Sequence, residues 1–173
     1  MNRSLAIALL VSGALALSAC GRKSAPVAAS SLPPPGGAPA ESGEYDADGN
    51  YIGPGSQADL RRIAGSDKVF FDFDSYSLDD GDRETLRRQA AWLAQYPNVS
   101  VTMEGHCDER GTRDYNLALG ERRANAAKNF LSAMGVSPTR MSVVSFGKER
   151  PEALGSDEQS YARNRRAVTV VIR

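Results

Sequence analysis

The sequence is short of cysteine, histidine and net charge, and each shortage narrows what the protein can be. The formal net charge is +0 with a pI near 6.6, so no basic excess favours binding to nucleic acid or to an anionic membrane surface. One histidine, His106, and two cysteines, Cys20 and Cys107, do not supply a closed set of metal ligands. We therefore expect no metal and no cofactor. After the first twenty residues, no apolar run is long enough to span a bilayer.

The first twenty residues have the pattern of an exported lipoprotein. A basic Arg3 precedes a short apolar run and small residues, which predicts a secretory signal peptide over residues 1–19. Leu-Ser-Ala-Cys at residues 17–20 resembles the bacterial lipobox, in which the cysteine is acylated and the chain is cut just before it. An ordinary signal peptide with an incidental cysteine is the alternative. Acylation of Cys20 would anchor the protein durably in lipid, because each buried methylene contributes about 0.8 kcal/mol. Gly21, where an Asp would resemble an inner-membrane retention signal, favours the cell outer membrane, with the rest of the chain facing the periplasm.

Composition divides the mature chain into two parts. Residues 20–65 are rich in Ala, Pro, Gly and Ser and show no apolar periodicity, which predicts a flexible tether behind the lipid. Residues 66–173 are predicted to form a single domain with one hydrophobic core. With Cys20 acylated, Cys107 has no partner for a disulfide within the chain.

Apolar spacing in the second part predicts alternating strands and helices. Strands are expected at residues 68–73, from Val99 onwards, at residues 141–146 and at residues 167–172. Helices are expected from a cap at Ser77 or Asp79 to about Tyr96, at residues 116–134 and at residues 157–163. This order predicts an α/β (α+β) sandwich with helices packed on one sheet.

Residues 104–123 hold the densest group of charged and polar side chains, where a strand end passes through a loop into a helix. Exposed loops and free helix N–H groups make such junctions frequent ligand sites. A nucleophile and base pair of Cys107 and His106 is disfavoured, because neighbours on a strand point to opposite faces. We interpret His106 as a buried or half-buried hydrogen-bonding residue that steadies the loop, and Cys107 as a small core residue.

Several motifs in the domain resemble the OmpA-like peptidoglycan-binding domain family. They are Phe-Asp-Phe-Asp at residues 71–74, Gly-His-Cys-Asp-Glu-Arg-Gly-Thr at residues 105–112, Tyr-Asn-Leu-Ala-Leu-Gly-Glu-Arg-Arg-Ala-Asn at residues 115–125 and Asn-Arg-Arg-Ala-Val at residues 164–168. Val-Ser-Phe-Gly-Lys-Glu-Arg-Pro at residues 144–151 is similar to the subgroup of peptidoglycan-associated lipoproteins, which the lipobox and tether also fit. The resemblance implies a four-stranded mixed sheet with helices on one face. It also implies a protein that binds rather than catalyses.

The resemblance further implies a ligand and a set of binding residues. The family holds diaminopimelate of the peptidoglycan stem peptide, whose free end carries an ammonium and a carboxylate on one carbon. Asp108 matches the acid that receives the ammonium, and Arg123 matches the arginine that pairs with the carboxylate, for which a guanidinium is suited. The groove-lining positions of the family match Phe73, Asp74, Thr112, Asn116 and Leu119. A purely structural salt bridge between Asp108 and Arg123 is the alternative.

These features together predict an outer-membrane tether with three kinds of partner: lipid, peptidoglycan and the Tol system. Resemblance to the subgroup implies binding to TolB through a surface that overlaps the ligand groove, with exposed helix residues such as Glu121 as contacts. Arg113 and Arg122 are interpreted as solvated or packing residues, and Arg165 and Arg166 as residues that tie the end of the sheet to neighbouring carboxylates rather than touch the ligand. One rival is a wall-degrading enzyme with an acid and base among Glu104, Asp108 and Glu109. The other is an assembly factor that binds only protein.

Overall fold

The computed structural model describes residues 44–172, and the predicted signal peptide and Cys20 lie outside them. The elements are α1 (Gln57–Ala64), β1 (Lys68–Phe70), α2 (Asp80–Gln95), β2 (Ser100–His106), α3 (Arg113–Ala133), β3 (Met141–Gly147), α4 (Glu158–Asn164) and β4 (Arg166–Ile172), with a 3-10 turn at Pro138–Arg140 before β3. In the part described, no helix is both long enough and apolar enough to cross a membrane.

The four strands form one mixed sheet in the order β1-β4-β2-β3, which confirms the predicted fold class. β4 pairs antiparallel with both β1 and β2, and β2 pairs parallel with β3. Alternate positions such as Val69, Val101 and Met103 are buried against α2 and α3. Hydrophobic burial on this one face stabilises the two-layer arrangement.

Most predicted bounds agree with the structure to within a few residues. Asp79, one of the two proposed caps, caps α2 by accepting a hydrogen bond from the Asp82 N–H, and the Asp82 side chain completes a capping box. The first strand is shorter than predicted and ends at Phe70 rather than Phe73. The chain turns away soon afterwards, since Asp74 has a φ of +52°.

Two glycines let α3 lie directly on the backbone of β2. A Cβ added to Gly105 would stand 1.8 Å from the Gly120 carbonyl oxygen, and a Cβ added to Gly120 would stand 2.3 Å from the Ser145 hydroxyl oxygen. Only hydrogen at both positions permits this approach. The contact places the first half of α3 beside the end of β2, where the densest polar motif begins.

The expected boundary of the tether at residue 65 is wrong, because the folded part begins earlier. Helix α1 is capped by Ser56, and its Leu60 and Ala64 belong to the hydrophobic core. Asp59 on the same helix accepts a hydrogen bond from the indole N–H of Trp92 at 3.0 Å. This helix was not predicted from the sequence because the helix is short, has only two core positions and follows a Gly-rich stretch.

Candidate functional site

A cavity of about 160 Å³ lies where the end of β2, the start of α3 and the turn after β1 meet. Its walls are formed by ten residues: Phe73, Asp74, Cys107, Asp108, Arg110, Gly111, Tyr115, Asn116, Leu119 and Arg123. Six of the seven groove residues implied by the sequence are among them. A single concave site therefore collects side chains from three separate segments of the chain.

Asp108 lies two residues after the end of β2 and is only 4% exposed. Its carboxylate accepts hydrogen bonds from Arg110 Nη2 at 2.6 Å and Arg110 Nε at 3.2 Å, and from Arg165 Nη1 at 3.4 Å. Burial by itself raises the pKa of Asp108, but the hydrogen bonds and charge of the two arginines outweigh it and hold the pKa below its ordinary value. The cavity therefore presents an ionised carboxylate at neutral pH.

Arg123 lies on α3 and is 1% exposed, so its guanidinium is enclosed by protein. It donates to the backbone carbonyls of Ser75 at 2.8 Å, His106 at 2.9 Å and Asp72 at 3.1 Å. A guanidinium has five N–H donors, so these three bonds do not use all of its capacity. Arg123 thus joins three segments of the cavity wall as well as lining it.

Asp108 and Arg123 make no direct ion pair among the described residues, since Asp108 pairs with Arg110 and Arg165 instead. The alternative of a structural Asp108–Arg123 salt bridge is therefore wrong. Burial lowers the pKa of the Arg123 guanidinium, although the nearby Cys107 and Asp108 act in the opposite direction. An arginine remains protonated at neutral pH despite such a shift, so the cavity holds an anion and a cation in separate walls.

The turn after β1 brings Phe73 and Asp74 to the rim. Asp74 has a left-handed backbone, which is uncommon for a residue other than glycine and is typical of functional sites. Its carboxylate accepts a short hydrogen bond from the Tyr115 hydroxyl. Phe73 is 62% exposed, so its ring offers apolar surface beside the polar groups.

The start of α3 supplies the floor and fixes the loop before it. Asn116 is 2% exposed, and its side-chain amide donates to the carbonyls of Arg110 at 2.7 Å and Thr112 at 3.1 Å. Leu119 is buried and gives the cavity an apolar wall. Thr112 is the one predicted groove residue that does not line the cavity; its hydroxyl caps α3 by accepting from the Tyr115 N–H.

Sequence reasoning did not select Arg110 or Tyr115 as site residues, although both lie inside quoted motifs. Arg110 follows Asp108 by two residues. An arginine so close to a proposed binding acid could have been predicted to pair with it. The roles expected for Arg165 and Arg166 are confirmed, since they pair with Asp108, Glu158 and Glu152.

His106 is buried as expected, but the expected hydrogen bond is absent. Neither ring nitrogen meets a hydrogen-bond partner of normal geometry within residues 44–172, and the ring stacks on Phe146 instead. Cys107 is buried and donates weakly to the Asn116 carbonyl, and burial raises the pKa of its thiol. A Cys–His nucleophilic couple is therefore not assembled in the described part.

A larger cleft of about 300 Å³ lies between the end of β1, the start of α2 and the end of α4, but it contains none of the predicted site residues. Two of its acids, Asp79 and Asp82, are engaged in capping α2. Within residues 44–172, no three acids, histidines or cysteines are gathered around one point as metal ligands would be. The smaller cavity is the better candidate site because its acid, arginines and rings converge on one space.

The mixed four-stranded sheet with helices on one face matches the fold of OmpA-like domains. Residues 70–165 match the OmpA family, and the chain belongs to it. Every predicted groove residue lies inside that match.

Among its relatives, the chain is similar to the peptidoglycan-associated lipoproteins. It is 53% identical over 118 residues to those of Agrobacterium fabrum and Rhizobium meliloti, which covers 68% of this chain and 66% of each relative. The shared region is thus just under two thirds of those two proteins. The crystal structure of the Burkholderia pseudomallei peptidoglycan-associated lipoprotein is 47% identical with a TM-score of 0.61, covering 62% of this chain and 92% of that one. The C-terminal domain of Helicobacter pylori MotB, at 21% identity and a TM-score of 0.57, shares the fold.

Proposed function

We propose that this protein binds peptidoglycan non-covalently and tethers the outer membrane to the cell wall. The observation that carries the proposal is the cavity in which buried Asp108 and buried Arg123 form opposite-charge walls. A diaminopimelate end, with an ammonium and a carboxylate on one carbon, matches such a pair. The names of the relatives, peptidoglycan-associated lipoproteins, support peptidoglycan as the polymer that is bound.

The cavity suits a small zwitterion rather than a long polymer. Its volume of about 160 Å³ accommodates the end of one amino-acid side chain, with Leu119 and Phe73 against the methylenes. Charge-assisted hydrogen bonds contribute roughly 1.5–3 kcal/mol each, so a few of them give affinity in the micromolar range only with further contacts. Reversible attachment to the wall follows.

The remaining parts of the proposal concern anchoring. Residues 1–19 serve as signal peptide, acylated Cys20 holds the outer membrane, and the segment from residue 21 to the folded part provides reach. The folded part then faces the periplasm. Such a two-point link would support envelope integrity and cell division.

The Tol system is the proposed protein partner. TolB would bind a surface that overlaps the cavity rim and the exposed face of α3, where Glu121 is exposed. Peptidoglycan and TolB would then compete. Adding muropeptide to a preformed complex with TolB should release TolB, and undiminished binding at saturating muropeptide would contradict the shared surface.

Binding to isolated sacculi tests the central claim. Residues 20–173 with Cys20→Ser should co-sediment with sacculi, and Asp108→Asn should weaken that binding by about tenfold or more, because an ammonium loses its ionic partner. Asp114→Asn is a matched control, since Asp114 is an exposed acid in the first turn of α3 and lies outside the cavity. Equal binding by the Asp108 variant and the unsubstituted protein would favour an assembly factor that recognises only protein.

A wall-degrading activity is disfavoured by the state of the acids near the site. Hydrogen bonding from Tyr161 lowers the pKa of Glu109, and the arginines lower that of Asp108, so neither acid retains a proton at neutral pH. A glycoside hydrolase needs one protonated carboxyl group as its acid. Release of soluble muropeptides from sacculi by the purified protein would overturn the tether proposal.

A further inference from the structure

Arg110 occupies the position on Asp108 that the proposed function assigns to the ligand's ammonium. Its Nη2 and Nε bond the two carboxylate oxygens at 2.6 and 3.2 Å, and its backbone N–H donates to the same carboxylate at 3.1 Å. This fork is the strongest geometry available to a carboxylate and a guanidinium. The acid is therefore already paired before any ligand arrives.

Two aromatic rings hold the Arg110 guanidinium in the cavity wall. Its central carbon lies 4.2 Å from the ring centre of Phe73 and 4.5 Å from that of Tyr161. Glu158 adds a longer contact at 3.5 Å from Nη1. Stacking attracts the cation without fixing one hydrogen-bond direction, so the guanidinium can shift along the rings and stay bound to them.

The second cation on Asp108, Arg165, is fixed mainly by its other contacts. Its side chain is 8% exposed, its Nη1 lies 2.8 Å from Glu158 and its Nε donates to the Phe71 carbonyl at 2.9 Å, whereas the Arg110 side chain is 36% exposed. A ligand ammonium would be a third cation on a single carboxylate, and like charges at that distance repel. Arg110 is the partner that can leave, because it is the more exposed of the two.

We infer that Arg110 determines the specificity of this site by exchanging partners when the ligand binds. In the free protein its guanidinium neutralises Asp108; in the complex the ligand's ammonium replaces it, and the displaced guanidinium pairs with the ligand's carboxylate. A zwitterionic end supplies a new cation to Asp108 through its ammonium and a new anion to Arg110 through its carboxylate. A lone amine displaces Arg110 and leaves it with only the longer contact to exposed Glu158, so it binds more weakly.

This inference rests on the proposed function and adds a residue that selects between ligands. Arg123, fixed by three backbone carbonyls, cannot follow a ligand in the same way. The zwitterion is therefore recognised by a fixed arginine, Arg123, and a mobile one, Arg110. Discrimination against a simple amine depends on Arg110.

Calorimetric titration with two muropeptides tests the inference. One contains diaminopimelate and the other contains lysine, which has the amine without the neighbouring carboxylate. Residues 20–173 with Cys20→Ser should prefer the first by about tenfold or more. Arg110→Ala should reduce the preference to about threefold or less, with the lysine muropeptide binding more tightly than it does to the unsubstituted protein.

Two further variants complete the design. Arg110→Lys keeps the charge but not the planar fork, and should give an intermediate preference. Arg113→Ala is the matched control, because Arg113 is exposed, pairs only with Glu149 in the described ion pairs and lies outside the cavity. Its preference should equal that of the unsubstituted protein.

The possible outcomes distinguish failure of the Arg110 exchange from failure of the proposed peptidoglycan binding. If Asp108→Asn abolishes binding while Arg110→Ala keeps the full preference for diaminopimelate, the exchange is refuted and the binding site stands. If the unsubstituted protein binds neither muropeptide, both fail. An unfolded Arg110→Ala would shift the test to Arg110→Lys, for which an unchanged preference is the refuting result.

Discussion

Replacing Arg123 by alanine should destabilise the fold as well as weaken ligand binding. The substitution removes three charge-assisted hydrogen bonds to the carbonyls of Asp72, Ser75 and His106, each of which contributes roughly 1.5–3 kcal/mol. Removing a buried guanidinium also relieves its cost of desolvation, which offsets part of the loss. We expect a net decrease of about 3–5 kcal/mol in the free energy of unfolding. That is a large share of the roughly 5–15 kcal/mol typical of a domain.

Urea unfolding followed by circular dichroism measures this decrease. Arg122→Ala is the matched control, since Arg122 is the neighbouring residue on α3, is exposed, and contacts only the face of Tyr76 at 5.8 Å among its described interactions. It should change stability by less than about 0.5 kcal/mol. If Arg123→Ala were as stable as Arg122→Ala, the three backbone bonds would not stabilise the fold, and the role assigned to Arg123 in joining the cavity walls would be refuted.

Three other outcomes follow from the structure and from the proposal. Burial, with the charges of Arg166 and Arg150, lowers the pKa of His106 from 6.5 to about 4, so the unfolded chain binds a proton at this residue before the folded chain does as the pH falls. The free energy of unfolding should therefore decrease by about 3 kcal/mol between pH 6.5 and 4 through this residue. Urea unfolding at several pH values should show a smaller pH dependence of stability for His106→Gln. Gly105→Ala should prevent native packing of α3 on β2, because the new Cβ meets the Gly120 carbonyl at 1.8 Å, and a native-like melting temperature would contradict that reasoning. Cys20→Ser should abolish membrane fractionation and incorporation of labelled fatty acid in cells while sacculus binding in vitro stays intact; a variant still found with the outer membrane would refute acylation at Cys20 as the anchor.

The order of strands and helices could be predicted from the sequence because apolar spacing records which side of each element is buried. The motif at residues 105–112 and the arginine at position 123 were recognisable as parts of one site through a family resemblance. The number of residues between the motif and the arginine did not predict how far apart their side chains lie in space. Helix α1 was missed, since only Leu60 and Ala64 mark its buried side and a Gly-rich stretch precedes it.

Most partners of the charged groups at the site were decided only by the tertiary structure. Asp108 pairs with Arg110, two residues away, but also with Arg165, which is distant in the chain, and it does not pair with Arg123. Arg123 instead donates to the backbone carbonyls of Asp72, Ser75 and His106, which the fold brings around it.

The sequence by itself determined the alternation of elements and the residue types that gather after β2. Only the fold decided which arginine is fixed and which is free to exchange. The physical reason is that hydrophobic periodicity is local, whereas the partner of a charge depends on which segments the packed core brings together.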